Sequence, residues 1–316
     1  MKQRRKKRMT QVLSQIKRIS LDHGWEFIKT LHCMFLAGVV EILTEPAFFD
    51  NVVEYNGKYY KVGTKRGAVM DSKVETEDYY ILTLAAIAME LKQMGLHEAS
   101  IVIGAGLPAT RYGAEKKEFA EYLSRNQDVT FKFEGEEYKI KIEKVALFPQ
   151  GYAAAVEDLP YLGNKVVVVD IGSWTTDIFP INNKKPDDAN ANSIPGGVIS
   201  CMRTINKHSV RLFNEKIDEE EIVHYIANGK TNLDKKYVEL IDKTLKEFAK
   251  ELFNSLREEG YSLNTTQFYF VGGGASVMKR FGGFEQKNIR YNLDLKANAR
   301  GYDKLTKIAM ERSARK

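Results

Sequence analysis

The sequence predicts an α/β chain built from two similar halves that face one ligand. Apolar runs of strand length alternate with segments of helical spacing along the whole chain. Two of those runs, in "RISLDHGWEFIKT" and "VVVVDIGSWTTDIF", end in Asp-x-Gly and then return as a second strand. Their aspartates, Asp22 and Asp170, are 148 residues apart in a chain of 316, so each opens one half. One Asp-x-Gly turn is commonplace; a pair in matching contexts implies an internal repeat.

The first half opens with a short strand over 17–21 that ends at Asp22. Residues 38–66 read as a small β region. Within it "NVVEYNGKYYKVG" alternates around Asn56-Gly57, the dipeptide that fits a tight hairpin. "TEDYYILTLAAIAMELKQM", 76–94, has helical spacing and stops before Gly95. "ASIVIGAGLP" is a buried strand entering a Gly-rich turn, "AEKKEFAEYLSRN" a helix, and "VTFKFEGEEYKIKIEKVALF" a hairpin turning near Gly135. "PQGYAAAVEDL" is a loop running into a short helix.

After Gly163 the pattern restarts, with a strand to Asp170, a turn, and the returning strand "TTDIFPI". A polar loop and "SIPGG" lead into the helix "VISCMRTINKHSV". Residues 219–259 read as almost wholly helical and highly charged. "QFYFVGGGASVMKRF" is a strand, a glycine loop and a helix start; "IRYN" is a short strand; a helix over 297–312 closes the chain.

With 43% apolar and 28% charged residues, the composition is that of a soluble globular protein long enough for two cores. No apolar run reaches the ~18 residues of a membrane span. The best candidate, "LHCMFLAGVVEIL", is short, carries Glu41, and is assigned to the core. Two cysteines, Cys33 and Cys201, argue against a disulfide scaffold and suit a reducing cytosol; the histidines are scattered, without zinc spacing. The pI of 9.0 is misleading about the body of the chain. Residues 1–18 hold eight Lys/Arg and no acid, and the remainder carries 40 basic against 42 acidic residues. The basic arm, 1–16, reads as a nucleic-acid tail, a membrane-surface segment, or a plain disordered extension, the last being preferred. It lacks the apolar stretch of a secretory signal.

The two turns fit a polyphosphate. Backbone N–H groups of tight glycine turns, at Gly24 and Gly172, point at phosphate oxygens. Ser173, Thr175 and Thr176 add hydroxyl donors, and Lys29 adds a point charge. Asp22 and Asp170 would repel phosphate unless a cation lay between; hydrated Mg²⁺, which takes one or two carboxylates plus phosphate oxygens, suits them. "VGGGAS" at 271–276 and "PGG" at 195–197 each precede a helix, so that Gly196, Gly197, Gly273 and Gly274 let a nucleoside lie against bare backbone. Gln150, in "LFPQGYAA", cannot be a strong base but can orient an attacking water.

The order Asp-x-Gly…Lys, Pro-Gln-Gly-x-Ala, Asp-x-Gly-Ser-x-Thr-Thr-Asp, Gly-Gly-Gly-Ala-Ser resembles the actin, DnaK-chaperone and sugar-kinase superfamily. "LDHGWEFIKT" resembles its first phosphate motif, "VDIGSWTTD" its second, "FVGGGAS" its adenosine motif and "ANARGYDKL" its second connecting helix. Within that superfamily "IGAGLPATRYG" and the "NARGYDKL" ending are similar to the ParM/StbA-like bacterial actins of plasmid segregation, over roughly residues 17–312.

The resemblance implies two ribonuclease-H-like, actin-like α/β domains flanking a nucleotide cleft. The first would span 17–160, with a small β insert at 38–70 and completion by the helix at 297–316. The second would span 161–296, with a helical insert near 206–255. The resemblance further implies a cytoplasmic ATPase that uses ATP and Mg²⁺ to polymerise. Its partners would be itself, in a filament, and a DNA-bound adaptor at a plasmid centromere, with direct nucleic-acid contact confined to the arm. Asp22 and Asp170 would hold hydrated Mg²⁺, and Gln150 and Asp170 would serve hydrolysis.

Three features depart from the pattern. Trp25 stands where relatives often carry Ser, Thr or Asn, Gln150 where ParM-type proteins often have Glu, and the arm precedes the usual start. Asp177 is assigned to support of the second strand. A small-molecule kinase of the same superfamily and a cell-shape or membrane-linked actin homologue remain the alternatives. A dinucleotide-binding reading of "GAGLPA" at 104–109 fails on Pro108 and on the placement of Asp128, and a chaperone on length.

Overall fold

The computed structural model describes residues 16–64, 72–284 and 286–315. Apart from Ile16 the basic arm lies outside them, as do 65–70 of the β insert. The chain divides into two compact units, after Glu157 and again after Leu295, and its last segment returns to the first unit.

The first unit is built on a sheet of nine described strands in the order β3-β2-β1-β7-β9-β8-β5-β6-β4. These are β1 (Lys17–His23), β2 (Phe27–Lys29), β3 (Met34–Leu36), β4 (Val39–Ile42), β5 (Val52–Tyr55), β6 (Lys58–Val62), β7 (Glu98–Leu107), β8 (Asp128–Phe133) and β9 (Glu136–Pro149). Strands β1, β7 and β9 are parallel, so all three end at one edge of the sheet. That edge is where parallel α/β sheets place ligands. Both hairpin turns have the left-handed backbone that a two-residue turn demands, at Asn56 and Gly57 and at Glu134 and Gly135. Strand β9 alternates buried and exposed residues through Ile142, as a sheet with one dry face must.

Helix α1 (Asp78–Gln93) is buried on nearly every side, through Tyr80, Leu82, Leu84, Ile87 and Leu91. Each such aliphatic side chain contributes about 1.5–3 kcal/mol by leaving water. Helix α2 (Ala109–Leu123) begins five residues earlier than the spacing "AEKKEFAEYLSRN" suggests. Pro108 precedes it, and a proline at a helix start sacrifices only an N–H that has no partner there. A short α3 (Tyr152–Ala155) follows β9, and α8 (Ala297–Arg315) closes the unit. Arg18 of β1 pairs with Asp303 of α8 at 2.8 Å.

The stretch "LHCMFLAGVVEIL" is only partly core: Ala37 is buried, and Phe35 and Val39 pack against the core. It forms β3 and β4, the two edge strands, and Met34, Val40 and Leu43 are 43%, 54% and 92% exposed. An apolar run announces a strand or helix, but not whether its neighbours will cover it.

The second unit has a sheet of six described strands, β12-β11-β10-β14-β15, with β13 paired to β11. Strand β10 (Lys165–Ile171) is Val-rich and buried on both faces, the mark of a central strand. It lies antiparallel to β11 (Thr175–Asn182) and parallel to β14 (Phe268–Val271). The others are β12 (Lys185–Pro186), β13 (Asn192–Pro195) and β15 (Ile289–Tyr291). Helices α4 (Val198–Phe213), α5 (Glu219–Asn228), α6 (Lys235–Glu258) and α7 (Ala275–Phe281) complete the unit. The charged segment 219–259 is two helices, because Gly229 takes a left-handed φ of 72° and ends α5. Helix α6 buries Leu240, Ile241, Leu245, Ala249, Leu252, Phe253 and Leu256, a stripe at three- and four-residue spacing.

Candidate functional site

Both Asp-x-Gly segments fold as a strand, a tight turn and an antiparallel return. The N–H of Gly24 donates to the carbonyl of Phe27 at 3.1 Å, and that of Gly172 to Thr175 at 2.9 Å. Asp22 is the register partner of Lys29, and Asp170 of Asp177, so the internal repeat holds residue for residue.

In the first unit three of the candidate residues meet. Asp22 is 3% exposed. Lys29 Nζ donates to its Oδ2 at 3.5 Å, and Gln150 Nε2 to its Oδ1 at 3.0 Å. Gln150 arrives because β1, β7 and β9 end together, and its N–H donates to the Leu107 carbonyl at the end of β7 at 2.9 Å. An ionised carboxylate accepts only, so the Gln150 amide must turn its NH₂ to Asp22, which leaves Oε1 as an acceptor facing elsewhere.

Sequence reasoning did not find the residues that brace this turn. Buried Lys73 donates to the carbonyl of His23, and its ammonium stands 5.7 Å and 5.8 Å from the ring centres of Trp25 and Tyr79. Tyr79 donates to the Gly24 carbonyl at 3.2 Å. Trp25 thus packs edge-on against Tyr79. His23 is fully buried, and its Nε2 lies 2.9 Å from Thr83 Oγ1. The Thr83 hydroxyl donates to Tyr79, so His23 Nε2 carries the proton. Burial, reinforced by Lys73, pushes the imidazole down to about 3, so it is neutral at physiological pH.

In the second unit Asp170 is 8% exposed at the end of β10, and the glycine run leaves the neighbouring strand β14 beside it. The glycines divide into two kinds. A Cβ at Gly197 would lie 2.5 Å from the Gly172 carbonyl, and one at Gly274 would lie 2.2 Å from Ile171 Cγ2. Gly197 and Gly274 therefore let α4 and α7 pack onto the turn. Gly196 has no atom within 4 Å of a Cβ, and Gly273 only Val198 Cγ2 at 3.9 Å, so these two present open backbone.

The hydroxyls divide likewise. Thr175 is exposed and Ser173 half-buried. Thr176 is fully buried, and its hydroxyl donates to the Gly196 carbonyl at 2.7 Å, which ties β11 to the glycine turn. The first N–H groups of α4 are also committed, Val198 to Gly172 at 3.0 Å and Ile199 to Ser173 at 2.9 Å. A cavity of about 230 Å³ opens beside Gly196 between α4 and α6, lined by Ser200, Cys201, Thr244, Phe248 and Glu251. Cys201 is buried there, its thiol pushed up to about 12.

Among the described residues no three His, Cys, Asp or Glu side chains gather as a metal cage. Asp22 and Asp170 offer hard oxygen donors of the kind Mg²⁺ takes, and both Asp22 oxygens already accept a hydrogen bond. Each carboxylate, taken in its own unit, suits an ion that keeps its water and is held chiefly by phosphate. No helix among the described residues is long and apolar enough to cross a membrane.

Comparison with known proteins places each half. Residues 35–152 match the model of the N-terminal domain of actin-like proteins, and residues 168–281 the C-terminal model of archaeal MreB-like actin homologues. An archaeal actin homologue of Thermoplasma acidophilum is 30% identical over 138 residues, and the match spans 40% of this chain and 40% of that relative's length. The crystal structure of an archaeal actin homologue in complex with ADP superposes with a TM-score of 0.73 at 19% identity, covering 93% of this chain and 100% of that one. A subunit of a 15-stranded ParM filament from Clostridium botulinum gives 0.71 at 21% identity, covering 93% and 99%. At such identities the likeness establishes the fold, which is that of two-domain actin-like proteins.

Proposed function

We propose that this chain is a ParM-like actin homologue, an ATPase that polymerises with ATP and Mg²⁺. The observation that carries this reading is the meeting of Asp22, Lys29 and Gln150, drawn from three strands to one sheet edge. A carboxylate, a cation and an amide at such an edge are what phosphoryl chemistry uses. Gln150, anchored through its NH₂, offers Oε1 to a water proton and so aims that water at a terminal phosphate. Lys29 supplies positive charge for the phosphates. Ser173 and Thr175 supply hydroxyl donors; the N–H groups of Gly24 and Gly172, expected to point at phosphate, instead close their own turns, so these glycines only shape the site, and Thr176 acts by holding Gly196 in place.

Asp22 and Asp170 are the carboxylates for a hydrated Mg²⁺, which when bound neutralises charge on the phosphate oxygens. Gly196 and Gly273 are the open backbone against which a nucleoside fits, while Gly197 and Gly274 shape it. The ADP complex of the archaeal homologue supports an adenine nucleotide, and the Clostridium botulinum ParM filament supports self-assembly. Plasmid DNA segregation in the cytoplasm, through a DNA-bound adaptor, is the process that suits a ParM-like filament.

Right-angle light scattering over a protein concentration series, with Mg-ATP and then Mg-ADP, tests the reading. A rise above a threshold concentration with ATP alone is the expected result. Steady phosphate release with no threshold would overturn the filament and favour a kinase of the same fold.

A further inference from the structure

Helix α1 is apolar for most of its length, yet it carries a carboxylate, Glu90, that is 2% exposed. Such a group is costly unless donors surround it. Here Oε1 accepts from the Thr30 hydroxyl at 2.5 Å and from the His32 N–H at 2.9 Å, and Oε2 lies 2.7 Å from His32 Nδ1. All three donors come from residues 30–33, the turn that joins β2 to β3. That turn is also tied internally, since the N–H of Cys33 donates to Thr30 Oγ1 at 2.9 Å and the N–H of Thr30 to the Cys33 carbonyl at 2.9 Å.

Lys29 is the last residue of β2 and immediately precedes this turn. Its side chain reaches Asp22 because the two are register partners. A strand of three residues has little ladder of its own to fix register, and a slip of one residue would send Lys29 to the opposite face. Packing alone would be served by a leucine at position 90. We propose that Glu90 is a positioning residue for nucleotide binding: by clamping the 30–33 turn it sets the end of β2 and holds the Lys29 ammonium at Asp22. This rests on the nucleotide reading of Lys29 given above.

The test is a double-mutant cycle on Mg-ATP affinity, measured by calorimetry below the assembly threshold, with Glu90→Leu and Lys29→Met. Glu90→Leu is expected to weaken binding about tenfold in the natural background and to add nothing once Lys29 is Met. Glu90→Gln, whose Oε1 can still accept from Thr30 and the His32 N–H, should restore near-natural affinity. If Glu90→Leu does not fold, Thr30→Val carries the same cycle with a smaller perturbation. Equal losses in both backgrounds, or no loss in either, overturn the role of Glu90 while leaving the nucleotide site intact. If Lys29→Met itself leaves affinity unchanged, the assignment of Lys29 to phosphate fails, and the positioning role fails with it.

Discussion

Asp22 faces Lys29 across the first turn, and the same seven-residue offset sets Asp170 against Asp177 in the second. The two halves thus share a backbone but not a charge pattern. The first turn carries its own counter-cation, whereas the second pairs two carboxylates across the ladder, where like charges repel. A duplicated scaffold has been given two different electrostatic tasks.

Removal of the second carboxylate separates task from scaffold. Asp170→Ala is expected to lower phosphate release from Mg-ATP at least about a hundredfold. The far-ultraviolet circular dichroism spectrum should stay that of the natural chain. Undiminished phosphate release would exclude Asp170 from the chemistry.

On the proposed reading Gln150 acts at a later stage than binding. Gln150→Ala should reduce kcat about a hundredfold and change KM only a few fold, as expected for a group that aligns a nucleophile. A rise in KM at unchanged kcat would make it a binding residue instead.

The two kinds of glycine in the second unit should behave differently. Gly274→Ala forces a Cβ to 2.2 Å from Ile171 and should cost about 1–3 kcal/mol in a urea unfolding curve. Gly273→Ala meets nothing nearer than 3.9 Å, so its unfolding midpoint should hold while nucleotide affinity falls. Coincident effects from both changes would mean that Gly273 is only structural.

His23 makes stability depend on pH. In the fold it stays neutral down to about pH 3, while an imidazole in the unfolded chain takes up a proton below about 6.5. Below pH 6.5 the unfolded state therefore binds a proton that the fold refuses. Stability is lost as pH falls towards 3, and above 6.5 the contribution is constant. The full loss amounts to about 4–5 kcal/mol. Unfolding free energies at pH 4–8 should show this acid limb flattened in His23→Phe.

Much of the fold was legible because its signals are local. Val166 to Val169 announce a central strand, Asn56-Gly57 a hairpin, and Gly95 the end of a helix. The pairing of Asp22 with Lys29 follows from a turn of fixed length. What was not legible depends on coverage and on partners distant in sequence. Met34 and Val40 are as apolar as any core residue, yet they lie on edge strands. Glu90 in "AMELKQM" reads as an outward-facing charge, and only the arrival of Thr30 and His32 reveals it as buried. Lys73 lies outside every motif, and the carbonyl it braces leaves no mark in a sequence.

The return of α8 to the first unit bears on how the molecule is made. Gly301 lies so close to α3 that a Cβ would approach the Ala153 carbonyl to 1.9 Å, and Arg18 finds Asp303 across 285 residues. On the ribosome β1 and β7 emerge before all of the second unit, and the helix that packs on them emerges after it. The earlier-synthesised unit is therefore the later one to finish, and the sheet face at Ser20, Gly104 and Gly106, on which α8 packs, waits bare while all of 158–295 is translated. The second unit lies wholly within 158–295, so its chain is complete before α8 is made. A stop codon near residue 296 should leave a soluble second unit attached to an unfolded, aggregation-prone first one.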